Sequence, residues 1–288
     1  MDQPFIDIYE PVYKRAVVAV AFSPRLGAVL NEAHRLLKIL GTAPIITHVG
    51  EDNLSTRSKL EQAIEKSNFK EHPPIFVIRS GQPNDVLLEV AREYRADLIV
   101  AGALKKEGLF KYYFGSIARN LARNAPCSVM LFSDPRVKPE PLHKIHCVVD
   151  YENPEAEMAV DVSAKIARHA QNSELYLTHT FQIPEWEGKN QIPNEAQKIK
   201  SIYNQEDKRL NNYLKTFELG GLSVTKRCLY DKTRSVTLDF SREIKANLFV
   251  VPTQKNRMGI LERLFPHDLE LALMELPCSL LLVRKSQT

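Results

Sequence analysis

The chain has 288 residues, 44% hydrophobic and 26% charged, with 39 basic against 35 acidic side chains and a net charge of +4. That length suits two domains of about 140 residues, each able to bury its own core. The charges are dispersed, no apolar run approaches the roughly 20 residues of a membrane span, and MDQPFIDIYEPVYKR lacks the order of a signal peptide, so no nucleic acid and no membrane are expected and the default compartment is the cytoplasm.

Short β-branched apolar runs at 15–22, 43–50, 73–81, 97–102 and 127–133 predict five strands. The segments between them carry apolar residues at three- and four-residue intervals and predict helices. Alternation of this kind implies an α/β unit with a parallel sheet, and the unbroken apolar character of VVAVAF and DLIVAG suits strands covered on both faces.

DPRVKPEPLH (134 to 143), with three prolines, reads as an extended, semi-rigid linker. The order of elements then recurs, with strands predicted at 144–150, 173–181, 222–230, 246–251 and 278–284. The repetition reaches individual residues. RADLIVAGA (95 to 103) returns as KANLFVVPT (245 to 253) at an offset of 150, and APCSVMLFS (125 to 133) as LPCSLLLVR (276 to 284) at 151. ITH (46 to 48) returns as LTH (177 to 179) at only 131, so the second copy carries about nineteen extra residues between its second and fourth strands. The expected division is a first domain over 1–134, a linker over 135–143 and a second domain over 144–288 with an insertion near 182–200. The insertion leads into an amphipathic helix from Lys198 to Phe217, with Ile199, Ile202, Tyr203, Leu210, Tyr213, Leu214 and Phe217 on one face.

Cys127, Cys147, Cys228 and Cys278 all lie in apolar runs, with no CxxC pair and no clustered histidines, so they read as buried packing residues and no metal is expected. His48 and His179 end equivalent strands, which favours a repeated structural position over a catalytic pair. His267 and Asp268 are neighbours that a helix would point apart, so no catalytic residue is assigned.

Ligands of parallel α/β sheets sit beyond the carboxyl ends of the strands, where helix N-termini collect. In the first copy the loop after the fourth strand runs from Gly102 through Lys105, Lys106, Gly108 and Lys111 to Gly115 and Ser116, with a helix beginning at Ile117. A permissive glycine, a hydroxyl, a helix N-terminus and lysines suit an anion; a capped strand-to-helix turn with solvated lysines is the competing reading.

The spacing Gly102, two residues, Lys105, nine residues, Gly115-Ser116 resembles the nucleotide loop of the universal stress protein family, a Gly, two residues, a Gly, nine residues, then Gly with Ser or Thr. GQPNDVLLEVAREYRADLIVAG and GSIARNLARNAPCSVMLF are similar to the blocks of that family flanking the loop, and the likeness covers the whole chain as two copies. The resemblance implies two tandem domains, each a five-stranded parallel doubly wound sheet flanked by helices, of the adenine nucleotide alpha hydrolase-like kind. It also implies an intramolecular pseudo-dimer through the two fifth strands, and it leaves a homodimer and a protein partner open.

Ligand binding is where the copies depart from the family. The first has Ala21 where ATP-binding members carry an Asp at the end of strand one, and Lys105 in place of the second loop glycine. The second keeps Asp150, but its loop begins Pro252-Thr253-Gln254-Lys255, passes Gly259 and ends Phe265-Pro266-His267-Asp268, which removes a backbone N–H and adds a repelling carboxylate. The expectation is a non-enzymatic stress-response or signalling protein with weak binding of ATP or AMP in the first domain, at Gly102, Lys105, Gly115 and Ser116, and no other cofactor. The alternative is a structural interaction module that has lost nucleotide binding. Motifs of adenylate-forming relatives, HxGH-like or SGGxDS-like, do not occur.

Overall fold

The computed structural model describes residues 11–71, 74–102, 104–105, 112–113, 115–170, 172–182, 195–231, 236–253 and 276–286. The first half comprises β1 (Arg15–Val20), α1 (Leu26–Leu40), β2 (Ala43–Val49), α2 (Leu54–Glu65), a 3-10 turn (Asn68–Glu71), β3 (Ile75–Arg79), α3 (Pro83–Glu93) and β4 (Leu98–Gly102). It continues with β5 (Leu104–Lys105), β6 (Tyr112–Tyr113), α4 (Ser116–Asn124) and β7 (Ser128–Phe132). The second half comprises β8 (Lys144–Val148), α5 (Ala156–His169), β9 (Glu174–Phe181), α6 (Glu195–Leu214), β10 (Ser223–Tyr230), α7 (Val236–Glu243), β11 (Leu248–Pro252) and β12 (Ser279–Val283).

Ten strands form one sheet in the order β10-β9-β8-β11-β12-β7-β4-β1-β2-β3. Within each half all neighbours are parallel, and each half has the same doubly wound order about its first strand. The halves meet where β7 and β12 pair antiparallel, Met130 opposite Leu281, so the two fifth strands join within the chain as expected and neither is left as a free edge. Alternate strand residues feed two hydrophobic clusters: Val18, Leu98 and Val100 with α1, and Val17 and Ile99 with α3 and α4. Each cluster contains residues of both halves, so the seam is packed on both faces of the sheet.

The conserved wording of the repeat has a physical cause. Arg95 and Lys245 both adopt left-handed backbone, with φ of 48° and 54°, at the turn into β4 and β11. Ala96 and Ala246 are buried directly after them. Asp97 Oδ2 accepts from Lys14 N at 2.7 Å, and Asn247 Oδ1 from Lys144 N at 2.8 Å. The three positions therefore turn the chain, bury a methyl group and tie the fourth strand to the start of the first, in both halves.

The seam is pseudo-symmetric. Ser128 Oγ donates to Arg284 O at 3.0 Å and accepts from Arg284 N at 2.9 Å, while Ser279 Oγ accepts from Ser133 N at 3.2 Å. Four buried thiols pack nearby or elsewhere in the core, all free, and burial pushes each of them up to about 12, which fits packing rather than nucleophilic use. Residues 134–143 contain no regular element; Arg25 pairs with Asp134 at 3.2 Å and Asn31 Nδ2 donates to Val137 O at 2.7 Å, which straps the connection over α1.

The helix after the insertion, Glu195–Leu214, starts and ends three residues before the predicted stretch 198–217, and its apolar face is unevenly buried. Leu210 and Leu214 are buried, and Ile202, Tyr213 and Phe217 pack partly against the core, whereas Tyr203 is exposed. Leu60 and Ile64 of α2 are the counterparts of Leu210 and Leu214 at the repeat offset of 150, and both pairs are buried. By that register α6 starts nine residues earlier than α2, and among the described side chains of its added turns Gln197, Lys200, Ser201 and Tyr203 are exposed.

Candidate functional site

In each half the crevice lies between the carboxyl ends of the first and fourth strands, where the strand order reverses. β1 pairs with β4 with Val18 opposite Val100, and β8 with β11 with Cys147 opposite Val250, so the two crevices can be compared residue by residue.

Gly102 ends β4 in the first crevice. A Cβ built there would lie 2.7 Å from Val29 Cγ2 of α1, so helix packing by itself favours a glycine at this position, since any side chain would force Val29 to shift. Gly115 is the N-cap of α4, with φ −68° and ψ 176°, extended backbone open to any residue. It supplies no side-chain cap, and Ser116 is the exposed first residue of the helix. The start of α4 thus presents backbone N–H groups with no side-chain cap, the arrangement that favours an anion.

Lys105 does not sit in an uninterrupted loop. It belongs to β5, paired antiparallel with β6 so that Lys105 faces Tyr112 and Leu104 faces Tyr113 in register. That two-residue ladder is an element the loop spacing did not show. Lys106, Gly108 and Lys111 lie outside the described residues, as do Gln254, Lys255, Gly259 and Phe265 through Asp268, and positions 183–194 of the insertion.

Ala21 follows β1 and is exposed. Beside it Phe22 is 41% exposed, its ring 4.3 Å from that of His48 and 5.9 Å from Lys59 Nζ. His48 Nδ1 donates to Val20 O at 3.1 Å. The second half repeats this arrangement: His179 Nδ1 donates to Val149 O at 2.8 Å, Tyr151 stacks on His179 at 4.1 Å, and Arg209 lies 5.3 Å from the Tyr151 ring. Both histidines therefore tie the second strand's end to the first. The equivalence of His48 and His179 carried that signal, and the paired cations Lys59 and Arg209, at an offset of 150, would have extended it.

The second crevice is more heavily bonded. Tyr213 packs edge-on against Tyr151 at 5.3 Å, and Glu206 Oε2 stands 3.4 Å from His179 Nε2. Burial holds the His179 imidazolium below its ordinary pKa, with the Val149 carbonyl and Glu206 acting the other way. The α2 counterparts of Glu206 and Tyr213 at the same offset are Thr56 and Ala63, which offer neither the carboxylate nor the ring.

Asp150 serves its own turn: Oδ1 accepts from Glu152 N at 3.2 Å and its carbonyl from Asn153 N at 2.9 Å. Asn153 then spans the crevice, Nδ2 donating to Pro252 O at 3.1 Å while Oδ1 accepts from Glu155 N. In the first half these two positions are Pro24, which has no side-chain donor, and Gly102. Nothing in the local sequence around Asn153 signalled this latch; only the alignment of the two copies, with Pro against Asn, does so.

Among the described residues no three His, Cys, Asp or Glu side chains gather as for a metal ion, and no helix is long and apolar enough to cross a membrane.

The family model described as "Universal stress protein family" matches the chain twice, over residues 12–133 and 141–284. A curated universal stress protein of Methanocaldococcus jannaschii is 27% identical over 121 residues, 42% of this chain and 65% of its own length, so the chain spans a little less than two thirds of that relative. The crystal structure of a universal stress protein from Archaeoglobus fulgidus shares the fold over 96% of this chain and 97% of its own, with a TM-score of 0.59 at 11% identity. A universal stress protein solved in complex with cAMP is similar over 44% of this chain and 98% of its own, at 23% identity and a TM-score of 0.35. The two family matches cover most of the 288 residues and follow the two halves of the sheet, and the chain belongs to the universal stress protein family as a tandem member.

Proposed function

We propose that this protein is a cytoplasmic, non-enzymatic stress-response or signalling protein whose first half, 1–134, binds ATP or AMP weakly and whose second half, from 144, serves as its scaffold. The observation that carries the reading is the contrast between the crevices. Asn153 latches the second one to Pro252, whereas the first has Pro24 and Gly102 in those places and an exposed Ser116 at the start of α4. Gly102, Gly115, Ser116 and the backbone around Lys105 are the proposed phosphate end. Ala21 offers no carboxylate to a ribose, which is the physical reason to expect weak affinity. Isothermal titration of the full chain with ATP and with AMP tests the reading; no heat at high micromolar protein removes its nucleotide clause.

A second reading has its own observation: the added turns of α6 overlap the insertion near 182–200 and carry Gln197, Lys200, Ser201 and Tyr203 exposed. On that view the chain acts through a protein partner or a homodimer. Capture of a partner that survives Gly115→Asp and fails on deleting 185–200 would favour it. Release of phosphate from ATP that Ser116→Ala abolishes would overturn the non-enzymatic clause.

A further inference from the structure

Arg284 follows β12 in the second half, but its guanidinium works in the first. The residue is 3% exposed. Nη1 donates to Ala125 O at 3.0 Å and Nη2 to Ala122 O, while Nε donates to Thr253 Oγ1 at 2.9 Å. Ala122 lies in the last turn of α4 and Ala125 is its C-cap. A helix leaves its last carbonyls without partners, and that end carries partial negative charge. Here a cation from the other half supplies the partners.

The side chain is anchored as well as placed. Its backbone is held on both sides by Ser128 Oγ, and Thr253, which receives Nε, is itself fixed by a bond from its N–H to Val283 O at 2.8 Å. Among the described carboxylates none forms an ion pair with it; Glu155, nearby, accepts from Lys285 N at 3.1 Å. The first half has Ser133 at the equivalent position, a side chain too short to reach a neighbouring helix end, so the grip runs one way only.

We propose that Arg284 is a positioning residue, which fixes α4 through its C-terminal carbonyls and thereby sets where the Gly115–Ser116 end of that helix points. The nine residues of α4 form about two and a half turns, a length over which a helix moves as a rod. The proposal rests on the nucleotide reading for its consequence at the site, but not for the grip itself. It explains why a duplicated half with a latched crevice is retained beside the other: it holds the helix on which the first half's anion end is built.

The test uses the full chain and three variants, Arg284→Met, Arg284→Lys and Thr253→Val. Hydrogen exchange by mass spectrometry is expected to show the α4 amides of Arg284→Met opening about tenfold faster, with β7 protection little changed. Lys, which reaches fewer acceptors at once, should restore part of the protection, and Thr253→Val should loosen α4 less than Met does. AMP affinity should fall about fivefold in Arg284→Met, in step with α4 exchange across the three variants. Uniform loosening of β7, β12 and α4 would mean ordinary seam stabilisation and would overturn the proposal, as would unchanged α4 exchange or AMP affinity indifferent to a loosened α4. If wild-type protein binds no AMP, the nucleotide reading fails, and the exchange pattern alone decides whether Arg284 grips α4.

Discussion

The two halves agree most closely where the backbone must turn or pair and differ most where a side chain could meet a ligand. Arg95-Ala96-Asp97 and Lys245-Ala246-Asn247 do the same three jobs, and Ser128 and Ser279 reach across the same seam. Yet Val17 and Ala91 of the first core are replaced by His146 and Ser241 in the second, and Pro24 by Asn153 at the crevice. The two halves thus share the geometry that packing requires and differ in polar contacts that only one interior or crevice must satisfy. The second half spent those changes on internal bonds; in the first, the N-cap of α4 is a glycine that offers no side-chain cap.

The two halves depend on each other most at the seam. Leu281 is fully buried and stands opposite Met130 between the halves. Leu281→Asp should cost about 4 kcal/mol or more, because a carboxylate would be placed between two packed faces with no partner. Chemical denaturation with separate probes in each half should show both losing structure together. If one half melts normally while the other fails, the halves are independent and the shared core is overstated.

Gly102 offers a sharper contrast, since packing and ligand binding both ask for glycine there. Gly102→Ala should destabilise by about 2 kcal/mol through the clash with Val29 Cγ2. Combining it with Val29→Ala should recover part of the loss, giving a coupling measurable by a double-mutant cycle. Additive losses would show that the contact is not what excludes a side chain.

The cores should also differ in their response to acid. His146 is fully buried, with Nδ1 2.5 Å from Ser241 Oγ and Nε2 2.8 Å from Thr178 Oγ1, and burial pulls its pKa from 6.5 down to about 3. The unfolded chain therefore binds a proton that the folded chain refuses across that interval, so stability falls as pH drops from about 6.5 towards 3, by up to about 1.4 kcal/mol per pH unit from this group. Replacing the pair with the residues of the first half, His146→Val with Ser241→Ala, should flatten the curve by that amount below pH 6.5 and leave its slope unchanged above. An unaltered acid slope would show that the imidazole is reached by solvent.

The smallest effect is expected at the latch. Asn153→Ala removes one buried bond to Pro252 O and the cap on Glu155 N, a loss of about 1 kcal/mol by thermal or urea unfolding. It should not create nucleotide binding in the second half, because Pro252 still lacks the N–H that a glycine would offer. Binding gained on this single change would make the latch, rather than the loop, the reason the second crevice is closed.

Much of the fold was legible because it is periodic. The strand-forming runs match β1 to β4 and β7 to β12 to within two or three residues, and the offset of 131 against 150 located the longer helix of the second half. The first-half elements of the candidate site could be placed from the loop spacing, since strand four and the following helix bound it. What the sequence hid were contacts between distant residues with no period of their own: the grip of Arg284 on α4, the polar core around His146 and the bond from Asn153 to Pro252. Arg284 did leave a trace, as a charge at the end of the apolar run CSLLLV, the position where a strand meets a seam. The β5–β6 ladder escaped for a different reason: two residues per strand are too few for alternation to register.

The asymmetry of the two crevices is measured directly by the number of nucleotides bound per chain. Equilibrium dialysis of the full chain against labelled ATP should give one site, lost in Gly115→Asp, which puts a carboxylate at the start of α4, and retained in Asp150→Asn. Two sites per chain, or one site that survives Gly115→Asp and disappears in Asp150→Asn, would contradict it.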